Sequence, residues 1–310
     1  MTCRQSRILC LGGLHWDTIL RCQDKLVSGE SNPVCTTGIP GGVAFNVATA
    51  LSRLGSDVGL TSRVGRDKNG KSLYDHLESN DIQPVALEFD SEAPTGSYTA
   101  VLDLNGELVI GLADMAIYDR LSAEYWQKYE AQLQSWDAWC VDSNLSGPAL
   151  ESLAMLLDSS RLYAVATSPA KSHRLGGVLT RLNTLFLNTC EAAVLSGRES
   201  GGLRHALQQA QCLRDRGLKQ VVITAGAQGV AWADCGGCGS LTAPTAETGN
   251  LSGAGDALAA ATIAALEQDH SLRTAARWGL SAGIIAAQPG PSRTALSWHA
   301  LEQTAKLIDD

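Results

Sequence analysis

Between residues 138 and 224, short apolar runs alternate with helical patterns. Strand-like segments at 138–142, 161–166, 184–187 and 220–224 are separated by helical periodicity at 149–157, 174–180, 190–196 and 203–216. Parallel neighbours need a long crossover, usually a helix, so this rhythm commits the chain to a mainly parallel sheet covered on both faces. The rhythm begins with a strand at 7–13 and continues through helix 45–54, strand 57–63 and helix 71–79. Helices at 254–267, 271–286 and 295–307 close the chain, after a hairpin near 229–241. The predicted fold class is therefore α/β, a three-layer α/β/α arrangement. With 310 residues, 45% of them hydrophobic, and no repeat or long linker, a single domain over 1–310 is expected.

Two stretches break the alternation. Residues 17–38 hold two short strand patterns (18–22 and 34–37), and 94–113 read as a hairpin turning at Asn105-Gly106, which suits a tight type I′ connection. These segments are predicted to form a separate small β lid.

The chemistry concentrates in residues 248–262. Gly253, Ala254 and Gly255 lead directly into an alanine-rich helical run. Small residues let backbone N–H groups approach an anion, and a helix start adds unpaired donors and a favourable dipole. Asp256 sits where a carboxylate would ordinarily repel that anion, which makes sense if it takes a proton from a hydroxyl attacking a phosphoryl group. The same residues also read as an Asp N-cap after a glycine loop. A second cluster, Pro40-Gly41-Gly42, opens the helical pattern Val47, Ala50, Leu51, Leu54, and Asn46 on that helix offers a donor and an acceptor to sugar hydroxyls.

Composition narrows the partners. A net charge of −8 argues against broad electrostatic binding to nucleic acid or membrane. Nine cysteines without regular spacing look like buried reduced thiols, and the Cys235-Gly-Gly-Cys238 pair reads as a strand-to-strand turn. No apolar run reaches membrane length, so a soluble, cytoplasmic protein is expected.

An early Gly-Gly-x-x-x-Asn helix start and a late Gly-Ala-Gly-Asp, in this order about 210 residues apart, make the chain resemble the PfkB (ribokinase-like) family of sugar and nucleoside kinases. The likeness spans nearly the whole chain. It implies ATP and Mg²⁺ as cofactors, a small-molecule nucleoside or sugar substrate, and a lid sheet that in some members also serves dimerisation. It implies that Asp256 is the general base, with Gly253, Ala254 and Gly255 as its anion nest. Asp17, Gly41, Gly42 and Asn46 would hold the ribose. Asn188-Thr-Cys-Glu191 corresponds to the family's Asn-x-x-Glu, with Glu191 acting on Mg²⁺ through water. Thr224, Gly226 and Gly229 correspond to its Thr-x-Gly-x-x-Gly at the nucleotide. Read from the residues alone, Asn188 and Glu191 equally form a helix capping box, and Thr224–Gly229 a plain turn.

Within the family, three stretches are similar to the pseudouridine kinases: Ser31-Asn32-Pro33, residues 105–125 with Asp114-Met115, and Val141-Asp142-Ser-Asn144. Asn32, Asp114 and Asn144 supply polar groups suited to a uracil edge. Two departures stand out. Thr167 occupies a place where the family often has Asp, and Asn250-Leu251-Ser252 replaces its Asp-Thr-Thr, so a monovalent-cation site loses a charged ligand.

Gly65-Arg-Asp-Lys-Asn-Gly70-Lys71-Ser72 formally matches a phosphate-binding P-loop, with Trp139-Cys-Val-Asp142 as a companion acidic strand. It also fits fully the family's Val-Gly-x-Asp-x-x-Gly turn, which makes Lys71 a solvated first-turn residue. On that reading Lys71→Ala changes kcat/KM by no more than about twofold, whereas a P-loop lysine would take nearly all turnover with it.

Overall fold

The computed structural model describes residues 6–244, 253–288 and 296–309. β1 (Arg7–Leu11) is buried over its last four residues, as a strand covered on both faces must be. The chain then leaves for two lid strands, β2 (His15–Cys22) and β3 (Val34–Gly41). It returns through α1 (Val43–Arg53), β4 (Asp57–Thr61), β5 (Arg63–Gly65) and α2 (Lys68–Ser79). Two short strands, β6 (Ile82–Pro84) and β7 (Glu88–Asp90), precede the second pair of lid strands, β8 (Ser97–Leu102) and β9 (Leu108–Asp114).

The alternating half follows: α3 (Ala123–Gln134), β10 (Ala138–Asp142), α4 (Gly147–Leu156), β11 (Leu162–Val165), a single-turn α5 (Pro169–Ser172) and β12 (Thr184–Asn188). After α6 (Thr189–Ser196), α7 (Leu203–Asp215) and β13 (Gln220–Thr224) comes the hairpin β14 (Gly229–Asp234) and β15 (Gly237–Thr242). The chain closes with α8 (Ala254–Leu266), α9 (Leu272–Ala287) and α10 (Trp298–Ala305).

The principal sheet has the order β15-β14-β13-β12-β11-β10-β1-β4-β6, parallel throughout except for the antiparallel β14 and β15 at one edge. Its two faces carry separate cores. Ile8 and Cys10 pack with α1, α8 and α9, while Leu9 and Leu11 pack with α3, α4, α6 and α7, the period of two expected of a central strand. The α/β class with helices on both faces is as the alternation requires. In α8 every residue from Ala257 to Ala265 is buried, so its alanines serve close packing. At the crossing with α9, a Cβ on Gly279 would lie 2.1 Å from the Thr262 hydroxyl, which keeps the two helices in contact.

The second sheet, β3-β2-β8-β9, holds the segments that broke the rhythm. Its β2 and β3 are longer than their sequence patterns indicate, pairing from His15↔Gly41 to Cys22↔Val34. The β8–β9 turn is not type I′. Gly106 N–H donates to Asp103 O, Asp103 and Glu107 pair, and of the loop residues Gly106 has positive φ. This is a type I turn closed by a left-handed glycine, organised by the Asp103 carboxylate accepting from the Asn105 and Glu107 amides. Two further expectations are corrected. Residues 173–181 wind as a 3-10 helix where a regular helix was expected at 174–180, and the strand expected at 57–63 is split into β4 and β5, the latter pairing with β7 apart from the principal sheet. The eight described cysteines are all free, but the expectation that they are buried holds only for Cys10, Cys22 and Cys140: Cys35, Cys190, Cys235 and Cys238 are exposed, the last two where β14 turns into β15. Among the described residues no helix is long and apolar enough to cross a membrane.

Candidate active site

The parallel strands end at a cleft of about 970 Å³ roofed by the lid. Its construction begins at Asp142, the last residue of β10 and only 1% exposed. The Asp142 carboxylate accepts hydrogen bonds from Gly13 N–H (2.8 Å), Ala44 N–H (3.0 Å) and both the backbone (2.8 Å) and side-chain (3.2 Å) nitrogens of Asn144. It thereby ties the end of β1 to the first turn of α1. Burial pushes its pKa up in spite of those donors. Gly42, at φ 111°, sets the entry of α1, and a Cβ there would stand 2.2 Å from the Gly13 carbonyl.

One turn into α1, Asn46 Nδ2 donates to Asp256 Oδ2 at 2.7 Å. This bond joins two motifs separated by 210 positions. Asp256 is not the N-cap but the third residue of α8, whose N-cap Gly253 adopts φ 81° and provides no capping side chain. The first intrahelical bond of α8 is Ala257 N–H to Gly253 O, so the Ala254, Gly255 and Asp256 amides are without helical partners and face the cleft. Burial raises the Asp256 pKa to about 7. Asn46 pulls the other way, and the charges of Asp142 and Glu191 add to the rise. A carboxyl poised near neutrality beside an array of free amides suits it to accept a proton from an alcohol.

Asp17 enters from β2. A Cβ on Gly41 would lie 2.3 Å from its Oδ2, so the absence of a side chain at Gly41 makes room for this carboxylate. His15 Nε2 stands 3.1 Å from Asp17 Oδ1. The Tyr118 hydroxyl accepts from the Leu14 amide at 2.9 Å and lies 3.2 Å from His15 Nδ1. Burial raises the Tyr118 pKa well above its usual value, keeping the phenol protonated.

At the opposite end, Asn188 and Glu191 form a reciprocal capping box on α6: Asn188 N–H donates to Glu191 Oε2 (2.8 Å) and Glu191 N–H to Asn188 Oδ1 (2.9 Å). Both line the cleft, and Glu191 Oε1 takes no hydrogen bond among the described residues. Burial raises the Glu191 pKa, opposed by Asn188. Thr224, Gly226 and Gly229 line the same end, where the turn after β13 closes through Ala225 N–H to Gly229 O.

The structure thus brings Asp17, Gly42, Asn46, Asn144, Asn188, Glu191, Thr224, Gly226, Gly229 and residues 253–256 to one cleft, with Gly41 directly behind Asp17. Two expectations fail. Asn32 lies outside the cleft, its amide consumed by Val27 N–H, Val27 O and Glu30 O within the β2–β3 loop. Asp114 points away: Ala113 pairs with Tyr98, both line the cleft, and the next residue along a strand faces the other side. The P-loop alternative also fails. Lys71 is exposed, Asp67 caps α2 and holds Thr95, and none of residues 65–72 reaches the cleft. The family's cation-site residues 250–252 lie outside the described residues. Sequence reasoning missed two roles: Asp142 as the buried acceptor, and Lys171, which lines the cleft and donates to Asn144 Oδ1 at 2.7 Å. Nothing but position distinguishes either in the sequence.

Comparison with known proteins agrees with this architecture. The model of the pfkB family carbohydrate kinases matches residues 5–298. The chain is 30% identical over 257 residues to the pseudouridine kinase of Escherichia coli K12, covering 82% of this chain and 81% of that protein. It is 27% identical over 248 residues to the ribokinase of Haemophilus influenzae, covering 79% and 80%. A solved carbohydrate kinase from Agrobacterium tumefaciens superposes with a TM-score of 0.86 at 30% identity, covering 98% of each chain. The ribokinase of Thermotoga maritima superposes at 0.82 with 18% identity, a likeness of fold, covering 97% and 99%. The class is that of the phosphotransferases acting on an alcohol group. The chain belongs to the pfkB family of carbohydrate kinases.

If Asp256 is the base, Asp256→Asn loses about 10²–10⁴-fold in kcat. On the same condition kcat/KM of the unsubstituted protein should rise with pH through about 7, the value to which burial raises the Asp256 pKa. Stability runs the other way. Folding keeps this carboxyl protonated up to about 7 while the unfolded chain ionises it near 3.8, so the native state is progressively disfavoured as pH rises through that window. Asp256→Asn is therefore expected to raise Tm at pH 8, measured by calorimetry, while abolishing most turnover. A lower Tm with full activity would remove Asp256 from this role.

Proposed function

We propose that the protein transfers the γ-phosphoryl group of ATP to the 5′-hydroxyl of pseudouridine, giving pseudouridine 5′-phosphate. The observation that carries the kinase chemistry is the Asn46–Asp256 hydrogen bond beside the first amides of α8, which have no partner among the described residues. On this reading Asp17 accepts from neighbouring ribose hydroxyls, a natural way for one carboxylate to read a cis-diol. Asn46 holds Asp256 so that its carboxylate faces the 5′-hydroxyl. Asp256 takes the hydroxyl proton as the oxygen forms its bond to phosphorus and the bond to the ADP oxygen breaks. The Ala254, Gly255 and Asp256 amides donate to the oxygens on which charge collects. Thr224, Gly226, Gly229 and Asn188 border the space for the nucleotide.

Mg²⁺ is part of this reading. Among the described residues no three His, Cys, Asp or Glu side chains gather tightly enough to cage a metal. Mg²⁺ keeps most of its waters and needs few protein ligands beyond substrate phosphates, so the single free Glu191 oxygen suits it. When bound, Mg²⁺ would neutralise phosphate charge. The pseudouridine assignment rests on the relative of that name, while relatives acting on ribose and on fructose 1-phosphate share about a quarter of their residues. Pseudouridine, uridine, adenosine and ribose compared in one ATP-consumption assay decide it. Pseudouridine should exceed the others in kcat/KM by at least about tenfold, the discrimination of one buried hydrogen bond. Higher turnover of ribose overturns the assignment.

The lid is also proposed as a dimer interface. Every residue of β9 is exposed, including Leu108 (58%) and Leu112 (59%), and an edge strand with this apolar surface invites a partner. A second copy pairing lid to lid would cover it. Sedimentation should show a dimer that Ile110→Lys converts to a monomer, and a monomeric unsubstituted protein refutes the interface.

A further inference from the structure

We propose that Lys171 selects the base of the substrate, donating from its ammonium group to a ring carbonyl of a pyrimidine dione, with Asn144 acting as its positioning residue. This rests on the kinase reading above and names the group that makes the cleft specific for a nucleoside of that class.

Lys171 belongs to the single turn α5, which follows β11 and sits against the end of β10. Three contacts fix that junction: Ser143 Oγ lies 2.9 Å from Thr167 Oγ1, Thr167 N–H donates to Ser143 Oγ, and Arg174 donates to the Asn144 carbonyl at 2.9 Å. The orientation of the Asn144 amide is set by chemistry. An ammonium group can only donate and the Asp142 carboxylate accepts, so Asn144 Oδ1 must face Lys171 and Nδ2 must face Asp142. The chain Asp142–Asn144–Lys171 therefore holds the ammonium in one place. Asn144, expected from the sequence to read the base itself, has both ends of its amide engaged in this chain.

The ammonium is under-used. Its one hydrogen bond is to a neutral amide, and it forms no ion pair among the described residues, although Asp142 and Asp119 act on it at longer range. Burial lowers its pKa, the cost of holding a cation in the cleft wall. An ammonium has three N–H donors, and one is spoken for.

The tie to Asn144 points to the ligand that takes the others. Asn144 follows β10, which pairs with β1, the strand leading to Asp17 and the Gly41-Gly42 turn. The nucleotide-end residues follow β12 and β13, further along the sheet. Lys171, tied to the end of β10 through Asn144, lines the same cleft as His15, Tyr98 and Met115, while its helix α5 also packs against α6. A uracil-type ring offers carbonyl acceptors there. A bare sugar would not extend to it, and a ring with an amino group in place of the carbonyl would set donor against donor.

The test uses Lys171→Gln and Lys171→Arg with two acceptors: pseudouridine and the phenyl C-riboside, which keeps ring shape and sugar but has no carbonyl. Lys171→Gln should lose about 10–100-fold in kcat/KM for pseudouridine, mainly through KM, the range of a charged hydrogen bond. KM for ATP should stay put, and Lys171→Arg should recover part of the loss. The unsubstituted protein should prefer pseudouridine over the phenyl riboside, and Lys171→Gln should lose that preference, since both changes delete one contact. Losses that simply multiply, a raised KM for ATP, or no loss at all overturn the proposal. Should Lys171→Gln fold poorly, Lys171→Arg carries the same comparison, because altered spacing must shrink the preference. An unsubstituted protein that phosphorylates no nucleoside sinks the functional reading and this inference with it. One that does, with Lys171→Gln unchanged, sinks this inference alone.

Discussion

One buried carboxylate organises the cleft. Asp142 receives four nitrogen donors from three parts of the chain: the end of β1, the start of α1 and its own β10 exit loop. Hydrogen bonds to a charged group are worth about 1.5–3 kcal/mol each, and buried donors left without an acceptor cost a comparable amount. With Asp142 in place, Gly13 is drawn against α1, Gly42 can pass within van der Waals reach of the Gly13 carbonyl, and α1 presents Asn46 to Asp256. The same carboxylate holds Asn144, and through it Lys171. Residues that contact substrate in the proposed function therefore depend on a group that touches none of it.

The start of α8 sets up a competition of charges. Free amides and the helix dipole favour an anion there, and Asp256 is itself an acid in the first turn. Left alone, those influences would favour its ionised form. Burial together with the fields of Asp142 and Glu191 overrides them and brings the carboxyl to about 7. Asn46 opposes this, so it both aims the carboxylate and keeps it from being too weak an acid to ionise in neutral solution. Two acidic neighbours and one amide thus tune a single proton.

Much of the fold was legible because its signals are local. The apolar runs of β1, β10, β12 and β13 are buried on both faces, and such strands declare themselves by composition alone. The helix α3 was equally written, in Tyr125, Trp126, Tyr129 and Leu133 at helical spacing, yet it sits beside the lid segments and was passed over. Misreadings came where the answer depends on what lies across the fold. Asn32 has the chemistry of a base reader, but its loop is short enough for its amide to be spent on neighbours two and five residues away. Asp114 is adjacent to residues that line the cleft, and the period of two in β9 turns it outward. Asp142 and Lys171 gain their meaning from partners up to 129 positions distant, which no periodicity reports.

The P-loop look-alike shows how the lid is held. Asp67 caps α2 through Gly70 N–H, and its two oxygens also take Thr95 N–H and the Thr95 hydroxyl, while Gly65 N–H donates to Thr95. These bonds outweigh burial and keep the Asp67 pKa below its usual value, so the clamp is a charged one. Thr95 immediately precedes Gly96 and β8, and Gly96 O accepts from Trp16 N–H at the root of β2. Both inner lid strands are therefore anchored at their bases, where Asp17 and Tyr98 line the cleft, while the β9 edge stands away from the body. A glycine turn that elsewhere would cradle phosphate is here spent on fixing the cleft wall that carries Asp17 and Tyr98. Water can be excluded from the phosphoryl group only if that wall keeps its place relative to α8. The clamp at Asp67 and the acceptor at Asp142 meet this requirement from opposite sides of β1.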